Sequence, residues 1–420
     1  SKAFGEFVEH TSGTPSISPQ ELSDLLQAGA DLVVLDSRPR DEYQRMNIPT
    51  GIDVPGAELV YRVHDIAPSP ETLVVVNCAG RTRSIIGAQS LINAGIPNRV
   101  VALRNGTMGW ELAGFNCERG SDRQAPAPSP EGLARAQAAA ARIAQRFAVR
   151  TIDTRKLENW RREQEQRSLY LLDVRSPEEF AAGHLPGSLS APGGQLVQAT
   201  DRYVGTLGAR IVLIDDNGVR ATLTASWLLQ MGWDDAVVLR DALDGVELET
   251  GMPAPHALGL VGAGVAGIQA AELRALLANQ QATVVDLSSS RNYRAGHIPG
   301  AWFAIRSRLG KSLVAVPLRG RLVLTSEDGR LAALAASQVA DVVSVPVSVL
   351  GGGNRSWMDA GFAVASGEEH MADVADDVWL KPYERCEQIA AAMNEYLTWE
   401  IDLLRRIAQD GTADFRQAPD

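Results

Sequence analysis

The feature that most constrains this chain is a threefold internal repeat. A short apolar run that ends in an aspartate occurs three times, as Leu32–Asp36, Leu169–Asp173 and Thr283–Asp286. Each run predicts a buried strand, because an unbroken apolar run suits a strand that is covered on both faces. Such self-similarity indicates copies of one structural unit in tandem rather than a single large core.

Each copy continues with the same order of segments. A second strand is predicted at Leu73–Asn77, Ile211–Asp215 and Leu322–Ser326, and a third at Val100–Leu103, Ala236–Leu239 and Val342–Val345. A loop and a helical stretch rich in Ala and Leu lie between the second and third strands of every copy. Strands that alternate with helices predict three tandem, doubly wound α/β domains with parallel sheets.

The repeat divides the 420 residues into modules and connecting segments. Modules are predicted at 15–120, 150–254 and 268–366. The first 14 residues are interpreted as the remnant of a preceding module, and 255–267 as a linker. The other connection, 121–149, is predicted to hold an Ala-rich helix, because Ser129 and Pro130 suit its N-cap and first turn.

Residues 367–420 form a tail of a different kind. Apolar residues recur at helical spacing from Ile389 to Ile407, which predicts an amphipathic helix that begins at Pro382 and ends near Gly411. Its apolar stripe has to be buried on a neighbouring module or on a second copy of the chain. A homo-oligomer formed through this helix is therefore one expectation.

Composition narrows the classes of function. A net charge of −11 argues against general binding to nucleic acid or to an anionic membrane. The three cysteines, Cys78, Cys117 and Cys386, are too few for a disulfide framework and favour a reducing, cytoplasmic setting. No metal-ligand spacing is present, and no cofactor is expected. The glycine run Gly262–Gly267 lacks the flanking strand and acidic partner of a dinucleotide site, and is interpreted as linker.

The loop after the second strand of the first copy carries the reactive residue types. It reads Asn77-Cys78-Ala79-Gly80-Arg81-Thr82-Arg83-Ser84. Loops at the carboxyl ends of parallel strands bind ligands, and their backbone amides together with the next helix N-terminus attract anions. Two nearby guanidinium groups favour the thiolate form of Cys78, which is the nucleophilic form.

These segments resemble the rhodanese family. The resemblance rests on Asp173-Val174-Arg175-Ser176, on Gly183-His184-Leu185-Pro186-Gly187 and its third-copy counterpart, on the Cys78 loop, and on the Gly-rich turns that end in Trp110 and Trp357. It implies a sulfurtransferase in which Cys78 cycles between thiol and persulfide and Ala79, Gly80, Arg81, Thr82 and Arg83 form the substrate-binding cradle. A small anionic donor such as thiosulfate, and a thiol or cyanide acceptor, are the implied partners.

The first copy departs from the commonest family pattern, which has a glycine at the fourth loop position where this chain has Arg81. A more basic cradle than usual is expected from this change. Alignment of the other copies on Gly80, Gly218 and Gly329 puts Asp216 and Glu327 opposite Cys78, and a shift of one residue would put Ser326 there instead. Because neither copy has a cysteine at this place, both are predicted to be inactive as sulfur carriers.

Other interpretations stay open. A rhodanese-fold phosphatase would need a longer loop than the one from Cys78 to Arg83, and a persulfide-sensing or scaffolding protein would suit the two modules without a cysteine. Cys117 and Cys386 are interpreted as structural. The strand-end aspartates, the two module histidines and the two turn tryptophans are expected to stabilise the fold: Asp36, Asp173, Asp286, His184, His297, Trp110 and Trp357.

Overall fold

The computed structural model describes residues 1–253, 257, 259–260, 266–340, 342–385 and 387–417. The chain divides into two compact units, one made of Ser1–Pro253 with Pro382–Asp420 and the other of Ala254–Lys381. The first unit holds the first two repeats and the tail from Pro382 onward, and the second unit holds the third repeat together with the start of the tail. The glycine run interpreted as linker lies largely outside the described residues.

Each repeat folds into a five-stranded parallel sheet, which confirms the predicted fold class. The strands are β1 Ser16–Ile17, β2 Leu32–Asp36, β3 Ile52–Asp53, β4 Leu73–Asn77, β5 Val100–Leu103, β6 Arg150–Ile152, β7 Leu169–Asp173, β8 Leu189–Ser190, β9 Arg210–Ile214, β10 Ala236–Leu239, β11 Gly267–Ile268, β12 Ala282–Asp286, β13 Trp302–Phe303, β14 Arg321–Thr325 and β15 Val347–Leu350. The orders are β1-β5-β4-β2-β3, β6-β10-β9-β7-β8 and β11-β15-β14-β12-β13. The second predicted strand of each copy is therefore the middle strand of its sheet.

Helices flank the three sheets, and one of them lies between the first two modules in the chain. They are α1 Lys2–Ser12, α2 Pro19–Gln27, α3 Arg40–Arg45, α4 Glu58–Ile66, α5 Thr82–Ala94, α6 Gly106–Leu112, α7 Pro130–Arg146, α8 Thr154–Arg162, α9 Pro177–Ala182, α10 Gly193–Gln198, α11 Val219–Gln230, α12 Ala270–Ala278, α13 Ser290–Ala295, α14 Leu309–Ser312, α15 Arg330–Val339, α16 Gly353–Asp359 and α17 Ile389–Asp410. The predicted linker helix is α7. The hydroxyl of Ser129 accepts a hydrogen bond from Gly132 N at 3.0 Å, as an N-cap should.

Two element predictions are wrong by more than one residue. The last strand of the third repeat is Val347–Leu350 and not Val342–Val345, because the run after Pro346 is the one that pairs with β14, while Val342 is exposed. The tail helix begins at Ile389 rather than at Pro382, which opens only a short 3-10 turn. Gln388 has a φ of 52°, in the left-handed region, so a helix cannot run through it. The predicted end at Gly411 is confirmed.

The first two repeats share their cores. Val219 and Leu223 of α11 in the second repeat belong to the apolar cluster of the first, and Ile85 and Ile86 of α5 belong to the cluster of the second. The indole N–H of Trp227 donates to Ser90 Oγ across this contact at 2.9 Å. Every residue of α11 except Leu229 is buried, polar ones such as Arg220 and Thr224 included, and the first repeat covers the side of this helix that faces away from its own sheet.

Asp53 gives the first unit a titratable group near neutrality. It ends β3 with 4% of its side chain exposed, its closest cation is Arg40 at 3.8 Å, and its Oδ1 has no hydrogen-bond partner in the described chain. Burial, and then the negative charge of Asp36, raise the pKa of Asp53 to about 7. The folded protein therefore holds this proton more tightly than the unfolded chain, and the associated stability is lost as the pH rises from about 4 to about 7.

Asp53→Asn should remove this loss of folding stability at neutral and alkaline pH. We expect the free energy of unfolding at about pH 8 to rise by up to about 4 kcal/mol, because each pKa unit is worth about 1.4 kcal/mol. The measurement is chemical denaturation at about pH 5 and about pH 8, where the variant should show a smaller difference than the parent. The exposed Asp122→Asn serves as the control. Equal pH dependence in the Asp53 variant and the parent would contradict the assignment.

Candidate active site

Cys78 stands directly after β4, at the carboxyl end of the central strand of the first sheet. The loop from Cys78 to Arg81 leads into α5, whose N-terminus has no side-chain cap. Within the described chain, the backbone N–H groups from Ala79 to Ser84 have no hydrogen-bond acceptor. Uncapped amides at a loop followed by a helix N-terminus attract anions, so these amides are available for the anion cradle, which stays a prediction.

The position of Cys78 is fixed by contacts on two sides. Its thiol donates to Ser84 Oγ at 3.4 Å, and that hydroxyl donates to Arg81 O at 2.8 Å. Behind the loop, the backbone N–H and the hydroxyl of Thr107 both donate to Cys78 O, at 2.8 and 2.9 Å. Only 2% of Cys78 is exposed. A small ligand, rather than a bulky one, fits such an enclosed nucleophile.

The two cradle arginines are paired with carboxylates. Arg81 binds Glu6 at 2.8 and 2.9 Å and also contacts Glu9, both on α1. Arg83 binds Glu42 on α3 at 2.8 Å. Burial by itself would lower the pKa of Arg83, but the charge of Glu42 outweighs burial and raises it. The expectation of an unusually basic cradle is therefore wrong, since the acidic partners cancel the added charge.

The other predicted cradle residues lie beside Cys78. Ala79 O and Cys78 O accept hydrogen bonds from the start of α6, and the Thr82 hydroxyl donates to Lys2 O at 3.4 Å. Gly80 is buried, and a Cβ at this position would lie only 3.0 Å from Met108 Cε. All six predicted residues thus lie in the loop Cys78–Arg81 and the first turn of α5. Direct contact of Arg81 and Arg83 with a donor stays a prediction.

The tail helix α17 covers this loop. Met393 and Leu397 are buried against Ala79 and Met108, and α1 packs on both α5 and α17. The sequence predicts an apolar stripe that needs a docking surface, but no local pattern identifies that surface. Only part of the stripe is buried in this contact, since Ile389 and Ile401 remain 40% and 55% exposed. Pairing of two copies through these residues stays a prediction.

Strand register identifies the residues that correspond to Cys78 in the other modules. Asp36 pairs with Asn77, Asp173 with Ile214, and Asp286 with Thr325. The next residues in the chain are Cys78, Asp215 and Ser326. The hydrogen bonds support this correspondence. Asp215 Oδ2 accepts from Ala221 N, and Ser326 Oγ accepts from Ala332 N, in each case six residues further along the chain. Cys78 Sγ likewise contacts the residue six positions later, Ser84.

The predicted placement of Asp216 and Glu327 opposite Cys78 is therefore wrong by one residue, and the alternative with Ser326 is confirmed. Gly218 and Gly329 adopt left-handed φ values of 79° and 82° immediately before their helices, where the first module has Arg81. Gly218 and Gly329 therefore correspond to Arg81 and not to Gly80. Asp216 instead pairs with Arg220 at 2.7 Å.

A carboxylate does fill the cradle of the second module. Asp215 accepts hydrogen bonds from Gly218 N at 2.8 Å and Ala221 N at 3.0 Å. This is the self-filled anion site that the sequence predicted, with Asp215 in the role. Such a loop has its amides occupied by its own chain, and the second module has no thiol there.

The remaining candidates have structural partners. The side chains of Asp36 and Asp173 form ion pairs with Arg38 and Arg175, and Asp286 accepts from Asn354 Nδ2. His184 stacks on the ring of Phe180, and His297 stacks on the ring of Tyr293. Each imidazole also forms a hydrogen bond with the backbone carbonyl of that aromatic residue. The indoles of Trp110 and Trp357 donate to loop carbonyls at 2.9 and 2.8 Å.

Cys117 lacks the features of a nucleophile. It packs against the core around Trp110, and burial, followed by the charge of Glu111, raises its pKa to about 12. Cys386 lies outside the described residues. Among the described residues, no group of His, Cys, Asp or Glu could hold a metal ion. No helix in that part of the chain is long and apolar enough to span a membrane.

The described residues thus form three tandem parallel α/β modules, the first of which has Cys78 in the loop after its central strand. The rhodanese-like domain family matches the chain at residues 18–113, 153–249 and 269–360. This chain therefore belongs to the rhodanese family.

The chain is also similar to proteins of known structure. The crystal structure of a thiosulfate sulfurtransferase from Pseudomonas aeruginosa is 46% identical, covers 99% of this chain and 78% of its own, and has a TM-score of 0.93. A human single-domain sulfurtransferase is 24% identical, with 23% and 97% coverage and a TM-score of 0.22. A 3-mercaptopyruvate sulfotransferase from Escherichia coli is 17% identical, with 55% and 98% coverage and a TM-score of 0.24. No curated protein sequence matches the chain.

Proposed function

We propose that this protein is a sulfurtransferase of the thiosulfate type, in which Cys78 carries the transferred sulfur as a persulfide. The observation that carries the proposal is the loop geometry: Cys78 is buried at the carboxyl end of β4, beside backbone amides that have no acceptor in the described chain. The similarity to the Pseudomonas aeruginosa thiosulfate sulfurtransferase over nearly the whole chain supports the same activity.

In the first half-reaction, the Cys78 thiolate attacks the outer sulfur of thiosulfate. A bond forms between Sγ and that sulfur, the original sulfur–sulfur bond breaks, and its electron pair leaves with sulfite. The persulfide anion is then stabilised by the amides of the loop, because preorganised donors favour a negative charge that develops beside them. In the second half-reaction, cyanide or a thiol takes the outer sulfur and Cys78 becomes a thiolate again.

The other two modules do not carry sulfur in this scheme. Asp215 and Ser326 occupy the place of Cys78, and neither side chain forms a persulfide. One sulfur atom per chain is therefore the expected capacity.

The experiment is intact mass spectrometry of the full chain after thiosulfate treatment, followed by peptide mapping. One added sulfur atom on Cys78, removable by cyanide with release of thiocyanate, is the expected result. Repeated turnover would separate an enzyme from a persulfide sensor, which would load once and discharge slowly. Sulfur found on Cys117 or Cys386 would overturn the proposal.

A further inference from the structure

Glu400 of α17 is a buried carboxylate that the sulfur-loading step does not use. Only 2% of its side chain is exposed. Its Oε1 accepts a hydrogen bond from the Tyr396 hydroxyl at 3.0 Å and from Lys2 Nζ at 3.4 Å. Burial, and then the charge of Glu400, raise the pKa of Tyr396, so this phenol remains a proton donor that holds Oε1 in place.

The second oxygen of Glu400 faces the sulfur loop. Oε2 has no hydrogen-bond partner in the described chain. It lies 2.8 Å from the point that a Cβ on Gly80 would occupy, two residues after Cys78. Buried acceptors without a partner are uncommon and call for a functional explanation. The absence of a side chain at Gly80 leaves this oxygen next to the loop.

We propose that Glu400 Oε2 receives the proton of a thiol acceptor in the second half-reaction, so that the tail helix completes the site for thiol acceptors. The inference rests on the Cys78 persulfide proposed above. The acceptor sulfur bonds to the outer sulfur of the persulfide, and the acceptor S–H proton moves to Oε2. The bond between that sulfur and Cys78 Sγ breaks, and its electron pair stays on Sγ. The products are a Cys78 thiolate, the persulfide anion of the acceptor and a protonated Glu400.

The charges around the loop favour a neutral acceptor that gives up a proton. Arg81 and Arg83 are already paired with carboxylates. Lys2 is the cation that contacts Glu400 itself. A further carboxylate at this place repels an anionic acceptor such as cyanide, whereas it accepts a hydrogen bond from a neutral thiol. Glu400 thus contributes to the choice of acceptor and not to the loading of sulfur.

The test separates the two half-reactions in the full chain. Cys78 is loaded with thiosulfate, excess donor is removed, and the persulfide is discharged either with dithiothreitol or with cyanide, whose anion has no proton to lose. In Glu400→Gln the ratio of the thiol rate to the cyanide rate should fall about tenfold or more, because proton acceptance is lost while the side chain keeps its size. Glu395→Gln removes the same charge from an exposed position of α17 and should keep the parent ratio.

The outcomes are distinct. If the parent never acquires sulfur on Cys78, the proposed function fails. If it loads sulfur and Glu400→Gln keeps the parent ratio, Glu400 is only structural and the inference is overturned. Should Glu400→Gln not fold, Tyr396→Phe tests the same point, because loss of the hydroxyl that holds Oε1 should lower the ratio roughly fivefold. An unchanged ratio in that variant would equally overturn it.

Discussion

Cys78→Ser should abolish both sulfur loading and turnover, with a loss on the order of a thousandfold or more in the rate with thiosulfate. A serine hydroxyl does not form a persulfide, and the remaining amide cradle binds the donor without reacting. The variant should fold normally, since Ser326 occupies the same place in the third module and its hydroxyl accepts a hydrogen bond from Ala332 N. Thiocyanate formation and intact mass after thiosulfate treatment are the two measurements.

Cys117→Ser is the matched control for this experiment. Its thiol is held un-ionised by a pKa of about 12, and it packs in the core of the same module. The control should load one sulfur atom at nearly the parent rate. A Cys78→Ser variant that still forms thiocyanate at an appreciable fraction of the parent rate would contradict the assignment of the nucleophile.

Gly106→Ala should distort the sulfur loop from behind. Gly106 has a φ of 54°, and a Cβ there would lie 2.3 Å from Cys78 O and 2.9 Å from Gly80 O. These contacts are to backbone atoms, so the loop itself would have to move. We expect a loss of about 2–4 kcal/mol in stability from left-handed strain and overpacking. A displaced nucleophile should also lower the rate of sulfur loading about a hundredfold.

Two other glycines separate these effects. Gly95→Ala imposes left-handed strain at a φ of 68°, but a Cβ there meets no atom within 4 Å, so it should cost about 1 kcal/mol and leave sulfur loading intact. Gly353→Ala reproduces the clash in the third module, where a Cβ would lie 2.1 Å from Ser326 O. It should destabilise that unit without slowing Cys78. If Gly106→Ala loads sulfur at the same rate as Gly95→Ala, the loop tolerates the displacement and the prediction is wrong.

The parts that could be predicted depend on neighbours in the sequence. The apolar run Leu73–Asn77, the reactive loop and the cap at Ser129 are local patterns, and each is found where it was predicted. Cys78 could be singled out because a strand, a loop and a helix in that order place the loop at the carboxyl edge of a parallel sheet.

The errors arose where a local pattern was ambiguous. Two β-branched runs flank Pro346, and only pairing with β14 determines which of them is a strand. The glycines of the three loops looked equivalent, but the ladder partners of Asn77, Ile214 and Thr325 show that they are not. Register is a property of the sheet and is not contained in any one segment.

The sequence by itself determined the three α/β modules, the single cysteine-bearing loop and the need of the tail helix for a docking surface, because hydrophobic periodicity and turn residues act over a few positions. Only the tertiary structure decided that Glu6 and Glu9 neutralise Arg81, that α11 joins two cores, and that Glu400 faces the loop of Cys78. These contacts link residues far apart in the chain, and they depend on how whole helices pack. No local pattern encodes such packing, so the surroundings of the nucleophile became visible only in the folded chain.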